Sequence, residues 1–286
     1  MLLQLNLTEI VRTRAGKKGK WIPGFLLHGL ERIIRQEGLN ELLRVAHPAE
    51  GSAFSTKILD HLDIAVELSG EIPQGSAPLM FASNHPLGGL DGIALVRVLG
   101  EALGDDNIRV LVNDLLMNVT PLAGVFLPTN KYGAGGARES SRLLKEAMER
   151  KKNIVMFPAG LVSRLNSKRI ESPDAPVVKD LEWKKSFVTK ALEFGYHIVP
   201  VRFEAMNSMR FYRTAKWRKK LGLKVNIEQA LLPGEIFKSR GKTFRISFLP
   251  AVDPAQMAAG GMKPAEIARE IYDMVYTEFG HTGKND

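Results

Sequence analysis

Residues 81–92, FASNHPLGGLDG, hold the side chains best suited to chemistry in this chain: His85 and, six positions on, Asp91. An imidazole held by a carboxylate can deprotonate a hydroxyl near neutral pH. On a regular helix the two residues would face different ways, but Gly88 and Gly89 allow a turn that folds them together. A second reading stays open on these residues alone, with Asp91 capping the following helix and His85 a polar loop residue. Other chemistries find no support. There is no Walker A loop, GxSxG elbow, HExxH or GxGxxG. The chain has no cysteine, which removes thiolate nucleophiles, disulfides, zinc–cysteine sites and iron–sulfur clusters together.

The elements around this segment must place it. An apolar strand precedes it and an apolar helix follows, so residues 84–90 form a loop at a strand's C-terminal end, the edge where open α/β sheets bind ligands. From about residue 64 the pattern alternates short apolar strands (64–68, 78–83, 108–113, 153–157, 198–204, 224–228, 243–249) with helices (92–103, 137–151, 182–194, 263–278). Such alternation predicts an α/β fold with a mostly parallel, mixed sheet flanked by helices. Residues 24–45 have amphipathic helical spacing with a break expected at Gly38, and 54–63 suit another short helix. The organisation expected is an N-terminal helical segment, 1–63, followed by one α/β domain, 64–286.

The chain has 286 residues, 44% of them hydrophobic, with 40 basic against 31 acidic side chains and a formal charge of +9. That hydrophobicity excludes intrinsic disorder as the overall state. No apolar run approaches the roughly 18–20 residues of a membrane span, and the N-terminus lacks the basic-then-apolar order of a signal peptide. A soluble or peripheral protein in the cytoplasm is expected. The positive charge concentrates at 11–20 and at 209–224 (MRFYRTAKWRKKLGLK), where aromatic residues interleave. A lipid interface and single-stranded nucleic acid both suit that mixture, as does a solvated helix face over a local core.

Three further segments accompany 81–92: GVFLPTNK at 124–131, FPAGLVSR at 157–164 and IVPV at 198–201. In order and spacing the four resemble the motifs of the glycerolipid (lysophosphatidic-acid-acyltransferase-like) acyltransferase superfamily. The resemblance covers about residues 79–204 and implies a glycerol-3-phosphate-acyltransferase-like fold, with acyl transfer from a thioester to a lipid hydroxyl. It implies His85 as general base and Asp91 as its orienting partner. It also implies substrate-binding roles for Asn84, Gly88, Asn130, Lys131, Phe157, Pro158, Gly160, Ser163 and Arg164, and an acyl-pocket place for Pro200. No cofactor or metal is implied; acyl carrier protein or coenzyme A brings the acyl group as co-substrate. Plainer readings remain for several of these. Phe157 and Pro158 could shape the loop, Lys131 could be solvated, Arg164 could pair with Glu171 or Asp174, and Pro200 suits a sheet edge or a bulge.

The departures from the family pattern are informative. His85 and Asp91 are one residue further apart than in HxxxxD, and HPxGxxDG is similar to the bacterial hemolysin-related branch. The usual FPEGTRS loses its Glu to Ala159 and its Arg to Val162, and Thr129, Asn130 and Lys131 stand where the second motif offers an Arg. Dianionic phosphate is normally met by convergent Arg and Lys. With DLEWKKSFVTKA at 180–191, the pattern is similar to O-acyltransferases of ornithine or glycine lipids, whose acceptor bears one carboxylate. The expected partners are therefore a lyso amino-acid lipid, the thioester carrier and an anionic membrane surface, at the cytoplasmic face of the inner membrane, with nucleic acid disfavoured. The alternatives are a 1-acylglycerol-3-phosphate acyltransferase, a non-catalytic lipid- or nucleic-acid-binding protein on the same scaffold, and a thioesterase-like hydrolase.

Overall fold

A computed structural model describes residues 24–73, 75, 77–113, 116–129, 134–165, 178–222 and 227–277. Among them, seven strands form one sheet in the order β1–β9–β8–β2–β5–β3–β4. These are β1 (Ala65–Ser69), β2 (Leu79–Ser83), β3 (Ile108–Val112), β4 (Phe126–Pro128), β5 (Asn153–Met156), β8 (His197–Glu204) and β9 (Thr243–Phe248). All neighbours run parallel except β8 and β9. Two short strands, β6 (Arg164–Leu165) and β7 (Val178–Lys179), pair antiparallel outside the sheet. The mostly parallel, mixed sheet expected from the alternating pattern is the one observed.

The helices are α1 (Gly24–Ile34), α2 (Gln36–Ala46), α3 (Gly51–His61), α4 (Leu90–Leu103), α5 (Ala134–Glu149), α6 (Ser186–Phe194), α7 (Met209–Lys220), α8 (Leu232–Lys238), α9 (Pro254–Ala259) and α10 (Pro264–Thr277). One core cluster joins Leu42, Leu43, Phe54, Ile58 and Leu59 of α2 and α3 to α4 and to Val199, Phe203, Phe244 and Ile246 of the sheet. A second packs α6 and α10 against Met80, Ile154 and Ile198. Every residue of β2 is buried, as a central parallel strand covered on both faces requires.

Three local expectations need correction. The break in the N-terminal helices falls at Arg35, which adopts a left-handed conformation (φ 56°), and Gly38 lies inside α2. Gly38 is small for a different reason: a Cβ there would come within 2.7 Å of the Phe237 ring. The strand expected at 224–228 is not seen at its described end, where Ile227–Leu231 is a 3-10 turn; 223–226 lie outside the described residues. Pro200 is not at an edge, because β8 lies between β2 and β9, but the bulge offered as its alternative is present: between the Val201–Phe248 pair and the Ile198–Val252 bridge the β9 side has one extra residue. Its missing N–H is tolerated because β9 ends at Phe248 beside it. The Pro200 carbonyl accepts the Leu249 N–H at 2.9 Å, and antiparallel bridging resumes at Ile198 with Val252.

Candidate active site

Strands β8, β2 and β5 are adjacent and parallel, so the loops that follow them emerge side by side. These loops carry Asn207, His85 and Phe157. The sheet order thus brings together segments more than 100 residues apart, 84–91 and 205–208 among them.

Within the β2–α4 loop, His85 Nδ1 lies 2.9 Å from Asp91 Oδ2. The Asp91 side chain has no solvent exposure, and His85 retains 16%. Asp91 Oδ2 also accepts the N–H groups of Leu87 (3.0 Å) and Gly88 (3.1 Å), and Oδ1 accepts that of Gly92 (2.9 Å). The carboxylate therefore organises the turn at the start of α4 and holds the ring in one arrangement. Gly88 sits at φ 90°, and a Cβ there would meet Leu232 and Val162 at 2.9 Å, so the turn needs glycine on both counts. The Phe157 ring stacks on the His85 imidazole with centroids 4.1 Å apart.

Burial opposes the charged imidazolium, but the charge and hydrogen bond of Asp91, with a further contribution from Asp180, outweigh it. His85 is held above its usual 6.5. Burial likewise pushes the Asp91 carboxyl up. The His85 charge and the hydrogen bonds from His85, Leu87 and Gly88 win, and the carboxyl stays below its usual range. With Nδ1 facing Asp91, Nε2 is the nitrogen left to take a proton. Among the described residues none bonds to it.

The other residues singled out by sequence are placed as follows. The Asn84 amide is tied to β8, donating to the Phe203 carbonyl (2.9 Å) and accepting the Phe203 N–H (2.7 Å), so it braces the loop's base. Gly160 turns the β5 loop at φ 67°, its N–H bonded to the Phe157 carbonyl, and Pro158 is buried with its carbonyl accepting the Lys184 N–H. The Ser163 N–H donates to the His85 carbonyl at 2.8 Å, and its hydroxyl donates to Asp180. Arg164 bonds to Glu228 at 2.8 Å, where Arg218 meets the other carboxylate oxygen at 3.0 Å. Glu171 and Asp174, the partners considered from sequence, lie outside the described residues, as do Asn130 and Lys131. Trp183 is buried, while Lys184 and Lys185 are exposed.

Comparison with known proteins adds to this geometry. A family model described as "Acyltransferase" matches residues 9–276. The chain belongs to that acyltransferase family. Two curated relatives of this acyltransferase are lyso-glycine lipid O-acyltransferases. The one from Phocaeicola vulgatus is 39% identical over 95% of this chain and 94% of its own. The one from Bacteroides thetaiotaomicron is 37% identical over 96% and 97%. A crystal structure of the 1-acyl-sn-glycerophosphate acyltransferase PlsC from Thermotoga maritima aligns over 91% of this chain and 95% of its own, with 15% identity and a TM-score of 0.43.

Some residues that shape this candidate site escaped the sequence reading. Asn207 donates to the Pro86 carbonyl at 3.0 Å, and its own N–H is accepted by the Tyr212 hydroxyl at 3.1 Å, so α7 clasps the His85 loop from outside. Asp180 reaches the His85 backbone from beyond β7. Asn207 is a single polar residue without a periodic pattern, whereas Asp180 opens the DLEWKKSFVTKA segment, whose resemblance carries no role for its first residue.

Proposed function

We propose that this acyltransferase moves a fatty acyl group from a carrier thioester to the free hydroxyl of a lyso amino-acid lipid of the glycine-lipid type. His85 Nε2 takes the acceptor's hydroxyl proton as the oxygen attacks the thioester carbon. The tetrahedral intermediate collapses with cleavage of the C–S bond, and the leaving thiolate takes the proton back from the imidazolium. Asp91 stays ionised throughout, fixing the ring and stabilising its charged form. No acyl-enzyme forms, and the chain has no cysteine to carry one. The observation that carries this reading is the buried His85–Asp91 pair, 2.9 Å apart with Nε2 left open, in a chain whose relatives act on lyso-glycine lipids.

The acceptor is a membrane lipid, yet among the described residues no helix is long and apolar enough to cross a membrane. The lipid is met instead at an anionic surface, on the cytoplasmic side where acyl carrier protein and coenzyme A thioesters are available. Helix α7 suits that contact. It buries Phe211, Tyr212 and Ala215 and exposes Arg210, Arg213, Lys216 and Lys220 around Trp217 (62% exposed), and Leu221 in the turn just past its end is 66% exposed. Apolar tips ringed by cations suit anionic headgroups. The other basic stretch, 11–20, lies outside the described residues.

The test supplies both carrier thioesters against lyso-glycine lipid and lysophosphatidate, with products read by lipid mass spectrometry. Acylation of the amino-acid lipid is the expected result. Transfer to lysophosphatidate alone would overturn the acceptor, and free fatty acid without acceptor would point to hydrolysis.

A further inference from the structure

One buried carboxylate beside His85 lies outside all four motif segments. Asp180 follows β7 and is 6% exposed. Its Oδ1 accepts the His85 backbone N–H at 3.1 Å and the Ser163 hydroxyl, and its Oδ2 accepts the Trp183 indole N–H at 2.9 Å. Its own N–H donates to the Tyr276 hydroxyl at 2.8 Å, and its carbonyl accepts from Tyr272 at 3.2 Å. Because the Ser163 N–H returns to the His85 carbonyl, both backbone polar groups of His85 are held in one closed circuit through Asp180 and Ser163. The 157–164 segment brings no acidic side chain of its own here; position 159 is a buried Ala in the same apolar cluster as Trp183.

We infer that Asp180 is a positioning residue for acyl transfer: it locks the His85 loop to the Phe157–Arg164 segment through the His85 N–H and the Ser163 hydroxyl. This rests on the reading of His85 as the base. Asp91 fixes the ring, whereas Asp180 fixes the backbone from which the ring projects, so the two carboxylates act on different degrees of freedom. The titratable groups around the imidazole are Asp91 on α4, Asp180, Tyr212 on α7 within electrostatic reach of Asp91, Tyr272 and Tyr276 on α10 behind Asp180, and Lys184 near Gly160. Burial pushes Tyr212 and Tyr272 up to about 12 and Tyr276 higher, so the phenols stay neutral through the assay range.

The experiment measures kcat and both KM values for wild type, Asp180→Asn and His85→Ala. Asn keeps an oxygen for the His85 N–H and the Ser163 hydroxyl but removes the charge and sets an NH2 against the Trp183 N–H. Asp180→Asn with Trp183→Phe removes that donor clash and is read if the single variant does not melt cooperatively. The expected result is a kcat lowered about 10- to 100-fold with both KM values within about threefold, because the loop that carries the base loses its brace while substrate binding is kept. A kcat within threefold of wild type, or a loss carried by KM with kcat unchanged, overturns the proposal. Wild-type turnover by His85→Ala would instead sink the reading it rests on, whatever Asp180→Asn does.

Discussion

Replacing Asp91 by Asn removes one charge and one acceptor from a site where both are committed. The carboxylate accepts three backbone N–H groups and faces the imidazole. An amide of the same shape must turn its NH2 either toward Gly92 or toward Leu87 and Gly88, so at least one buried donor faces another donor. That costs roughly 1–3 kcal/mol of stability. The catalytic effect is larger. Without the carboxylate neither the neutral tautomer with Nε2 free nor the imidazolium is favoured, and general-base assistance is worth about 10²- to 10⁴-fold in rate. The pH dependence gives a second reading. Burial lowers the His85 pKa and Asp91 raises it. With Asp91 gone the acidic limb of kcat/KM moves to lower pH, while in wild type the rate rises with pH through a value above 6.5. The corresponding stability term runs the other way: the ion pair stabilises the fold below the unfolded-state pKa of the histidine, and that part is lost as pH rises through the folded value. The assay is initial rate against pH with a thioester donor, alongside thermal melts. A variant with an unmoved limb and a rate within threefold of wild type would refute the assigned coupling.

Three other outcomes follow from the packing. Glu228→Ala leaves Arg164 and Arg218 beside an emptied acidic position and should cost about 3 kcal/mol, read as a lower denaturant midpoint; an unchanged midpoint would mean the pair contributes nothing. Gly88→Ala meets both a positive φ and two side chains at 2.9 Å, so it should destabilise by roughly 1–3 kcal/mol and slow turnover together. Trp217→Ala with Leu221→Ser should weaken flotation with anionic vesicles at least tenfold and leave turnover on detergent-dispersed acceptor intact; equal flotation of variant and wild type would move the membrane contact elsewhere.

The strands that carry the site were legible because they are short apolar runs whose burial depends on their own composition: β2 and β8 appear within a residue of where periodicity put them. The His85–Asp91 spacing left pairing and helix capping as rivals, and the fold realises the pairing: Asp91 faces the ring and holds N–H groups of the turn with the same carboxylate, while the N-cap of α4 is Gly89 and Asp91 lies inside the helix. What could not be read depends on which strands lie side by side. Asn84 is a brace for Phe203 only because β8 neighbours β2, and Gly38 is small only because Phe237 folds back across α2. Arg164 finds its partner 64 positions away, on a turn that sequence assigned to a strand. Such contacts join residues far apart in the chain, so no local pattern of hydrophobicity or charge encodes them.

Removal of the acceptor's hydroxyl proton by His85 Nε2 is tested by acyl transfer to lyso-glycine lipid with wild type and His85→Ala, read by lipid mass spectrometry with circular dichroism as the folding control. The expected result is a folded variant whose turnover falls by at least 10²-fold. A folded His85→Ala that acylates the lipid at the wild-type rate would contradict it.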